Sequence, residues 1–578
     1  MLRRCLAWIC IAAGITLIVI LVTGGFRVDA GPVRLSAHRP APPLAVMVLG
    51  ALALWRLGPL RARDTLARVS ADLTNHALAF GVVGALAIAS VGVVYGTFAA
   101  SSADPSAYVS HAALIDGGRL SFDEPLARAV DWHEPTWAFT PLGYRPGPAP
   151  GVIVPGYPMG LPLVMAAARR IAGTTGPFLV APLLAAAAVL ATYRIASRLS
   201  GRVAGVIAAT LLASSPIVQF QTVQPMSDVP AMAWWMLALT CALSSSALAP
   251  AAAGLLSGLA VLTRPPLAPL AAVVAAVVLG WPRVALARSF DIRRIAVFAV
   301  GFVPAALLLA WFQQRLYGSP LRSGYGDVSD FFHLANIWPN VGDYSGRLLV
   351  GEAPALILAV CALAVLLVRR QPVAVRSVTD IAKLAAAVAA ILLAIHLPYG
   401  VFPDWAYLRF LLPGLPLAFA VLGAIAALAL ERLTPPLRGI ALVAALTLVV
   451  SFNVVHAGQQ AAYALRDYEA RYRTVGLYLA ATLPPEAVVV TSQESGSVHH
   501  YTSLPVVRWD LLTENLEEAL ARLHALGRHP VLVVEDWEKP ALRARFPSGP
   551  TASLDWKPRV ETGLTTRVGV WDPADRTN

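Results

Sequence analysis

The side chains that could do chemistry are concentrated in residues 99–160, the longest polar interruption within the apolar part of the chain. Its ionisable and aromatic residues include Asp104, Tyr108, His111, Asp116, Arg119, Asp123, Glu124, Arg128, Asp131, His133, Glu134 and Arg145. A polar loop of this size between membrane spans is where a membrane protein can carry out chemistry in water. We therefore interpret the rest of the chain as a scaffold that holds this loop against a bilayer surface.

Asp104 is the first acidic residue of the loop, and its position before Pro105 allows two roles. A carboxylate at a membrane surface is partly desolvated, which makes it a better general base. Asp followed by proline at the first helical position is also a favourable helix start, with the side chain as cap. The spacing leaves both roles open. Asp131 and Glu134, beside His133, are the next candidates for a base.

Arg264 and Arg409 are expected on the outer face of the membrane, against the usual distribution of positive charge. Arg264 stands in Thr-Arg-Pro between two short apolar stretches, and Arg409 precedes a later apolar run. A guanidinium pairs with phosphate through two parallel hydrogen bonds, so a lipid-linked phosphate would explain such cations. For Arg264, snorkelling to lipid headgroups is the equal alternative.

Three further stretches carry weaker signals. Tyr317 and Tyr325 belong to a turn-rich aromatic loop that suits contact with a sugar or a prenyl chain. Asp228 precedes an apolar run, and we predict a helix cap there rather than a catalytic acid. The scattered histidines, His111, His133 and His333, show no spacing that identifies a metal site. We predict no cofactor, and the sequence leaves a divalent metal as an open alternative.

Composition indicates what positions these residues. The chain is 57% hydrophobic and 13% charged, whereas a soluble globular protein carries about 25% charged residues. Apolar runs of roughly 16–24 residues are long enough for helical spans, and the strands of a membrane barrel would be shorter and alternating. The net charge of +12 arises from arginines in short loops between spans, so we expect no nucleic-acid partner.

The fold class that we predict is an α-helical polytopic membrane protein with about thirteen transmembrane helices. The spans lie near residues 5–25, 44–60, 76–99, 176–197, 203–219, 229–247, 249–263, 266–281, 295–312, 353–369, 382–398, 411–430 and 438–456. Residues 249–263 and 266–281 are short and form either an outward-facing hairpin or a re-entrant pair.

Clusters of basic residues mark alternate loops and therefore indicate orientation. They are Arg3 and Arg4; Arg61, Arg63 and Arg68; Arg194, Arg198 and Arg202; Arg283, Arg288, Arg293 and Arg294; Arg369, Arg370, Arg376 and Lys383; and Arg432 and Arg438. All fall on one side if the N-terminus is cytoplasmic. The loop 99–160, the loops 313–352 and 399–410 and the C-terminal tail then lie outside.

The tail differs from the rest, because acidic residues reappear and apolar runs shorten after about residue 457. We predict helices at 459–483, 511–526 and 537–546, and strands at 487–491, 531–534 and 566–571. Strands that alternate with helices indicate a small α/β domain. The predicted organisation is two extra N-terminal spans in residues 1–75, the main membrane domain in 76–456, and an extracytoplasmic, independently folding α/β domain in 457–578.

Taken in order, these motifs resemble the GT-C superfamily of integral-membrane glycosyltransferases. The likeness is to the bacterial branch related to protein mannosyltransferases and aminoarabinose transferases, family 39-like. It rests on the early loop acid Asp104 with Tyr108, Tyr-Pro-x-Gly-x-Pro at 157–162, Ser-Asp-x-Pro at 227–230, Thr-Arg-Pro at 263–265, Tyr-Gly-x-Pro at 317–320 and Arg-Phe-Leu-Leu-Pro-Gly-x-Pro at 409–416. These cover residues 76–430 in the family's order. Many relatives carry two adjacent acids where this chain has Asp104-Pro105.

The resemblance implies a polyprenyl-phosphate-linked sugar as donor and inverting transfer to an acceptor hydroxyl outside the bacterial inner (plasma) membrane. Asp104 would be the general base, and Arg264 and Arg409 would hold the phosphate. The acceptor, whether glycan, lipid or protein, is unknown. The alternative is a transporter or flippase of lipid-linked sugars. Transporters usually show repeats and polar, broken helices at mid-membrane, whereas ionisable residues here gather in outer loops, which favours an enzyme.

Overall fold

The computed structural model describes residues 2–30, 33–56, 59–282, 291–326, 330–368 and 375–576. The basic residues Arg283, Arg288, Arg369 and Arg370, used above for orientation, lie outside this part. Before the polar loop come Leu2–Thr23, a strand pair Phe26–Ala30 and Val33–Ala37, and the helices Ala41–Arg56, Pro59–Asn75 and Ala77–Tyr95. After it come the helices Gly160–Ala172, Gly176–Ser200, Arg202–Ser214, Pro216–Thr222, Asp228–Leu243, Ala249–Thr263, Leu270–Val278, Arg293–Tyr317, Ile337–Gly351, Ala353–Val368, Val375–His396, Leu415–Glu431 and Pro435–Gln459.

Within the described residues, seven helices are long and apolar enough to cross a membrane, or up to nine if each of two bent pairs is one span. The first pair, Arg202–Ser214 and Pro216–Thr222, bends by 57°; the second, Leu334–Gly351 and Ala353–Leu366, bends by 80°. Three predicted spans correspond to shorter apolar helices of the described residues, Ala41–Arg56, Asp228–Leu243 and Ala249–Thr263. The protein is therefore a multi-pass α-helical membrane protein, and the count of thirteen stays a prediction.

Small residues set the distance between helices in the bundle. At Gly254, a Cβ atom would meet the backbone of Phe298, and at Gly301 one would meet the backbone of Ala251. Glycines at such crossings let two membrane helices approach until their backbones touch. This contact fixes the helix Ala249–Thr263, at whose end Arg264 stands.

The polar loop is folded. It contains the helix Asp104–Asp116, named here the loop helix, and an antiparallel sheet in the order Phe122–Asp123, Val152–Pro155, Tyr144–Pro146. The loop helix is buried along most of its length and packs against Gly160–Ala172, a helix that the sequence did not predict. Burial on several sides gives this polar segment one fixed position relative to the bundle.

The tail forms a five-stranded sheet with helices, named here the tail unit (residues 465–571). In spatial order the strands are Val506–Val507, Ala487–Val490, His529–Glu535, Val568–Trp571 and Val560–Thr562. The first three are parallel to one another, and Val568–Trp571 is antiparallel to both of its neighbours. The helices are Leu465–Thr482, Ser495–Thr502, Leu516–Ala525 and Lys539–Arg545. The three predicted strands are present with small shifts at their ends, and Val506–Val507 and Val560–Thr562 were not predicted.

The tail unit shares its apolar core with the polar loop. Trp132 and Phe139 of the loop stack with ring centroids 5.3 Å apart. Both belong to the cluster that contains Val488, Leu532 and Trp571 of the sheet. Without the loop, this face of the sheet would be exposed to water. We therefore expect that residues 457–578 need the polar loop in order to fold, in contrast to the prediction from sequence.

Candidate active site

Segments that are far apart in sequence meet at a cavity of about 350 Å³. It is lined by the start of the loop helix, the end of the polar loop, the start of the helix Asp228–Leu243, the end of the helix Ala249–Thr263 and the 3₁₀ segment Trp405–Gly414, among others. We name Trp405–Gly414 the arginine segment. The polar residues that line the cavity are Asp104, Tyr108, Tyr157, Ser227, Asp228, Arg264, Ser323, Tyr325, His396, Tyr399, Tyr407 and Arg409.

Asp104 is held by side chains. Arg409 donates from Nη1 to its Oδ2 at 3.0 Å, and the hydroxyl of Tyr157 donates to Oδ1. The loop helix begins at Asp104, its N-cap residue is Ala103, and no side chain makes a capping hydrogen bond there. The cap interpretation of Asp104 is therefore wrong, because its oxygens are directed to Arg409 and Tyr157. With 24% of its side chain exposed, the carboxylate faces the cavity.

Arg409 is positioned by aromatic rings. Its guanidinium lies 5.0 Å from the ring centroid of Tyr407 and 5.4 Å from that of Phe410. At the start of the arginine segment, Asp404 accepts a hydrogen bond from the backbone N–H of Ala406 at 2.7 Å. The Nε atom of Arg409 is buried and has no hydrogen-bond partner among the described residues. The guanidinium lines the cavity and has N–H groups beyond the one that bonds to Asp104, so Arg409 can bind an anion while it keeps that bond.

Arg264 forms an ion pair with Asp228 across the same cavity. The Asp228 side chain is 2% exposed and that of Arg264 is 19% exposed. Asp228 makes no capping bond, and Ser227 instead accepts a hydrogen bond from Tyr108 at 2.9 Å. The predicted cap at Asp228 is therefore wrong. Arg264 is directed to a buried carboxylate instead of to lipid headgroups, which removes the snorkelling alternative.

A row of tyrosines covers the carboxylate. The ring centroids of Tyr108 and Tyr157 are 5.2 Å apart, and those of Tyr157 and Tyr325 are 5.7 Å apart. Burial and the nearby Asp104 raise the pKa of Tyr108 and of Tyr157 above that of a free tyrosine, so both hydroxyls remain protonated donors. Tyr157 was absent from the predicted site. It stands in the quoted 157–162 motif, but nothing in the spacing showed that its hydroxyl reaches Asp104.

A larger and mainly apolar cavity of about 740 Å³ adjoins this site. Residues shared by both cavities include Pro266, Ser323, Tyr325, Gly326, Phe332 and Ile395. Tyr317 lines only the apolar one, and its hydroxyl donates to the carbonyl of Pro155 at 2.9 Å. Tyr317 therefore ties the loop to the bundle, and the polar cavity opens beside an apolar groove.

Asp131, His133 and Glu134 do not line either cavity. Asp131 pairs with Arg522 of the tail unit at 2.9 Å, and the backbone N–H of His133 donates to Glu514 at 2.8 Å. Glu134 has a φ of +47° and precedes a short helix. The structure thus places Asp131 and His133 at the contact with the tail unit and leaves all three candidates outside the cavity that holds Asp104.

No group of three His, Cys, Asp or Glu side chains suited to a metal ion occurs in the described ranges. The carboxylates among the residues that line the polar cavity are Asp104 and Asp228, and each is paired with an arginine.

The helical bundle with its folded polar loop is similar in fold to solved ArnT structures, which agrees at the level of the fold with the GT-C resemblance seen in the sequence. ArnT from Cupriavidus metallidurans, in its crystal structure bound to undecaprenyl phosphate, is similar over 86% of this chain and 98% of its own, with 12% identity and a TM-score of 0.50. Its apo state is similar over 85% of this chain and 97% of its own, with 12% identity and a TM-score of 0.52. At this identity the likeness concerns the fold. No family model matches the chain, and no curated protein matches its sequence.

Proposed function

We propose that this protein is a membrane glycosyltransferase that moves a sugar from a polyprenyl-phosphate-linked donor to an acceptor hydroxyl. The observation that carries the proposal is the convergence of Asp104, Arg264 and Arg409 on one cavity beside an apolar groove. The groove offers space for a prenyl chain, and the arginines offer partners for its phosphate. ArnT, which has the same fold, binds undecaprenyl phosphate, and this supports the same class of donor here.

The proposed reaction assigns a role to each of these positions. The acceptor hydroxyl attacks the anomeric carbon on the face opposite the phosphate, so the configuration inverts. Asp104 accepts the hydroxyl proton as the new C–O bond forms. The bond between the anomeric carbon and the phosphate oxygen breaks, and its electron pair remains on the phosphate. Charge therefore grows on the leaving group, where Arg409 and Arg264 stabilise it.

The resting ion pairs fit this sequence of events. Arg409 uses one N–H of Nη1 for Asp104 and has further N–H groups on a guanidinium that lines the cavity, so phosphate binding need not release the carboxylate. Arg264 is balanced by Asp228 before the donor arrives. Each cation is thus held in place before charge develops, which lowers the reorganisation that the reaction requires.

We also propose the orientation predicted from the sequence and the predicted division into residues 1–75, 76–456 and 457–578, but not the independent folding of the last part, which shares its core with the polar loop. The N-terminus is cytoplasmic, thirteen helices cross a bacterial inner membrane, and the cavity and the α/β domain (457–578) are extracytoplasmic. The alternating clusters of basic residues support this arrangement. The donor sugar is a hexose or a pentose, and the acceptor is a glycan, lipid or protein.

The test is turnover by the purified protein in lipid nanodiscs. Polyprenyl-phosphate sugars with a radiolabelled sugar are incubated with a membrane extract as the source of acceptors. We expect label to move to a new product and free polyprenyl phosphate to form in equal amount, with loss of both in Asp104→Asn and not in the matched control Asp131→Asn. Equal turnover by Asp104→Asn and wild type would overturn the assignment of the base.

A transporter of lipid-linked sugars is the second candidate, and the two bent helix pairs favour it. A transporter moves the intact donor across the bilayer without breaking the bond to the sugar. In proteoliposomes, labelled donor that crosses the membrane unchanged, with no polyprenyl phosphate formed, would support this candidate over the enzyme.

A further inference from the structure

The two helix breaks in the bundle contact each other. Ser215 separates Arg202–Ser214 from Pro216–Thr222, and Glu352 separates Ile337–Gly351 from Ala353–Val368. The hydroxyl of Ser215 donates to Oε1 of Glu352 at 2.6 Å, and the two residues are 0% and 5% exposed. An ionisable residue inside a membrane bundle is costly, so the surroundings of Glu352 must offset that cost.

Polar atoms around this contact are buried without a hydrogen-bond partner among the described residues: Glu352 Oε2, Trp405 Nε1, Asn453 Oδ1 and His456 Nε2. They lie in one neighbourhood. Asn453 donates to Ser214 at 3.1 Å, and the rings of Trp405 and His456 are 6.2 Å apart. The indole nitrogen of Trp405 lies 3.3 Å from where a Cβ on Gly351 would stand.

Glu352 makes no ion pair within the described part of the chain. The titratable groups that face this region are His456, from the helix Pro435–Gln459, and Tyr463, whose hydroxyl bonds to Gln219. An unpaired carboxylate in an apolar bundle binds a proton, because the charged form is far more expensive to bury. As a neutral acid, Glu352 has an O–H to donate in addition to the oxygen that accepts from Ser215.

The four atoms then form a balanced set. Glu352 and Trp405 supply donors, while Asn453 and His456, with its ring proton on Nδ1, supply acceptors. One water molecule accepts two hydrogen bonds and donates two, and buried waters satisfy groups of this kind. We propose that these residues enclose an internal hydration site in which Glu352 is the neutral acid, and that this site positions the arginine segment.

The connection to Arg409 is short. Trp405 is the first residue of the arginine segment, and Arg409 stands four positions later in the same 3₁₀ turns. Leu408 also lies within contact distance of the point where a Cβ on Gly351 would stand, and Gly351 directly precedes Glu352. Glu352 does not line the polar cavity, so it is a positioning residue. This second half of the inference rests on the proposed function, whereas the protonation of Glu352 does not.

Infrared spectroscopy of the full chain in nanodiscs at neutral pH tests the proton. The spectrum of wild type minus Glu352→Gln should contain a carboxylic-acid C=O band that shifts in D₂O. Ser215→Ala should move that band, because it removes the hydrogen bond to Oε1. The matched control, Glu431→Gln at an exposed position, should give a carboxylate band instead. A carboxylate band for Glu352 would overturn the inference.

Binding of undecaprenyl phosphate tests the positioning. Glu352→Ala and Trp405→Phe should weaken binding roughly tenfold, the equivalent of one lost buried hydrogen bond. Glu352→Gln should restore binding to within about twofold, because an amide donates and accepts like the neutral acid. Wild-type affinity in Glu352→Ala would overturn the positioning role. If wild type binds no polyprenyl phosphate, the proposed function fails, and the infrared result still decides the protonation.

Discussion

Asp104→Asn is the change that separates the chemistry of this carboxylate from its structural contacts. Asparagine keeps the size of the side chain and can still accept from Tyr157. It loses the charge that pairs with Arg409 at 3.0 Å. Because Asp104 makes no capping bond, the helix start should be unaffected. We expect transfer to fall by about 10²–10⁴, which corresponds to about 3–5 kcal/mol of barrier.

The cost to stability is smaller. Asp104 and Arg409 are 24% and 17% exposed, so water still screens part of their interaction. A hydrogen bond to a charged group contributes about 1.5–3 kcal/mol, and we expect a loss in the lower part of that range. Arg409 remains stacked on Tyr407 and Phe410. Rates measured well below the melting temperature of the variant therefore report chemistry.

Azide gives the decisive assay, because a nucleophile without a proton to lose does not need a base. In Asp104→Asn, azide should restore cleavage of the donor and yield a glycosyl azide. It should not rescue Arg409→Gln, in which the leaving group has lost its cation. Near-normal transfer by Asp104→Asn, or no rescue by azide, would refute the reasoning. The base would then be sought at Asp228, the other carboxylate in the cavity, since Asp131 and Glu134 lie elsewhere.

The remaining predictions concern the shared core, acid stability, the tyrosines and the topology. Trp132→Ala should destabilise the tail unit by about 3–5 kcal/mol, as seen by calorimetry, and residues 457–578 alone should lack a cooperative melt. Burial lowers the pKa of His499 and of His500 to about 4, below the unfolded value of 6.5, so stability should fall as the pH drops from about 6.5 to 4. Burial raises the pKa of Glu538 to about 7, which acts oppositely between about pH 4.5 and 7. The double variant His499→Gln/His500→Gln is therefore compared with wild type at each pH, and its melting temperature should fall less than that of wild type as the pH drops from about 6.5 to 4. Tyr157→Phe should reduce transfer about tenfold or more, whereas Tyr317→Phe, which removes a contact to the backbone of Pro155, should leave it within a few-fold. A reporter active only in the cytoplasm, fused after Asn578, should stay silent; a strong signal would contradict the orientation.

Local signals identified much of the candidate site. Asp104, Tyr108, Arg264, Tyr325 and Arg409 were singled out from sequence, and all of them line one cavity. Asp104 was visible as a carboxylate at the start of a polar loop, and Arg264 and Arg409 as cations where the charge rule disfavours them. Tyr108 and Tyr325 were singled out from the motifs in which they stand. Membrane composition likewise predicted a helical multi-pass fold, because apolar run length is a local property.

Partners were decided only in three dimensions. Asp104 and Arg409 are 305 residues apart, and nothing local distinguishes a carboxylate that caps its helix from one that accepts from a distant guanidinium. Asp131 and Glu134 had equally suitable types, but the shared core of Trp132 and Phe139 carries their segment to the tail unit.

The contact between Ser215 and Glu352 also separates what is visible in the sequence from what only the tertiary structure decides. In the sequence, Glu352 directly precedes the predicted span 353–369 and Pro216 falls inside the predicted span 203–219, and neither break was predicted. Only helix packing brought the two breaks together, because the position of one helix against another depends on the side-chain volumes of the whole bundle. Hydrophobic periodicity and residue type can be read within a few residues. The pairing of polar groups depends on all the long-range contacts together, and those contacts form only in the folded chain.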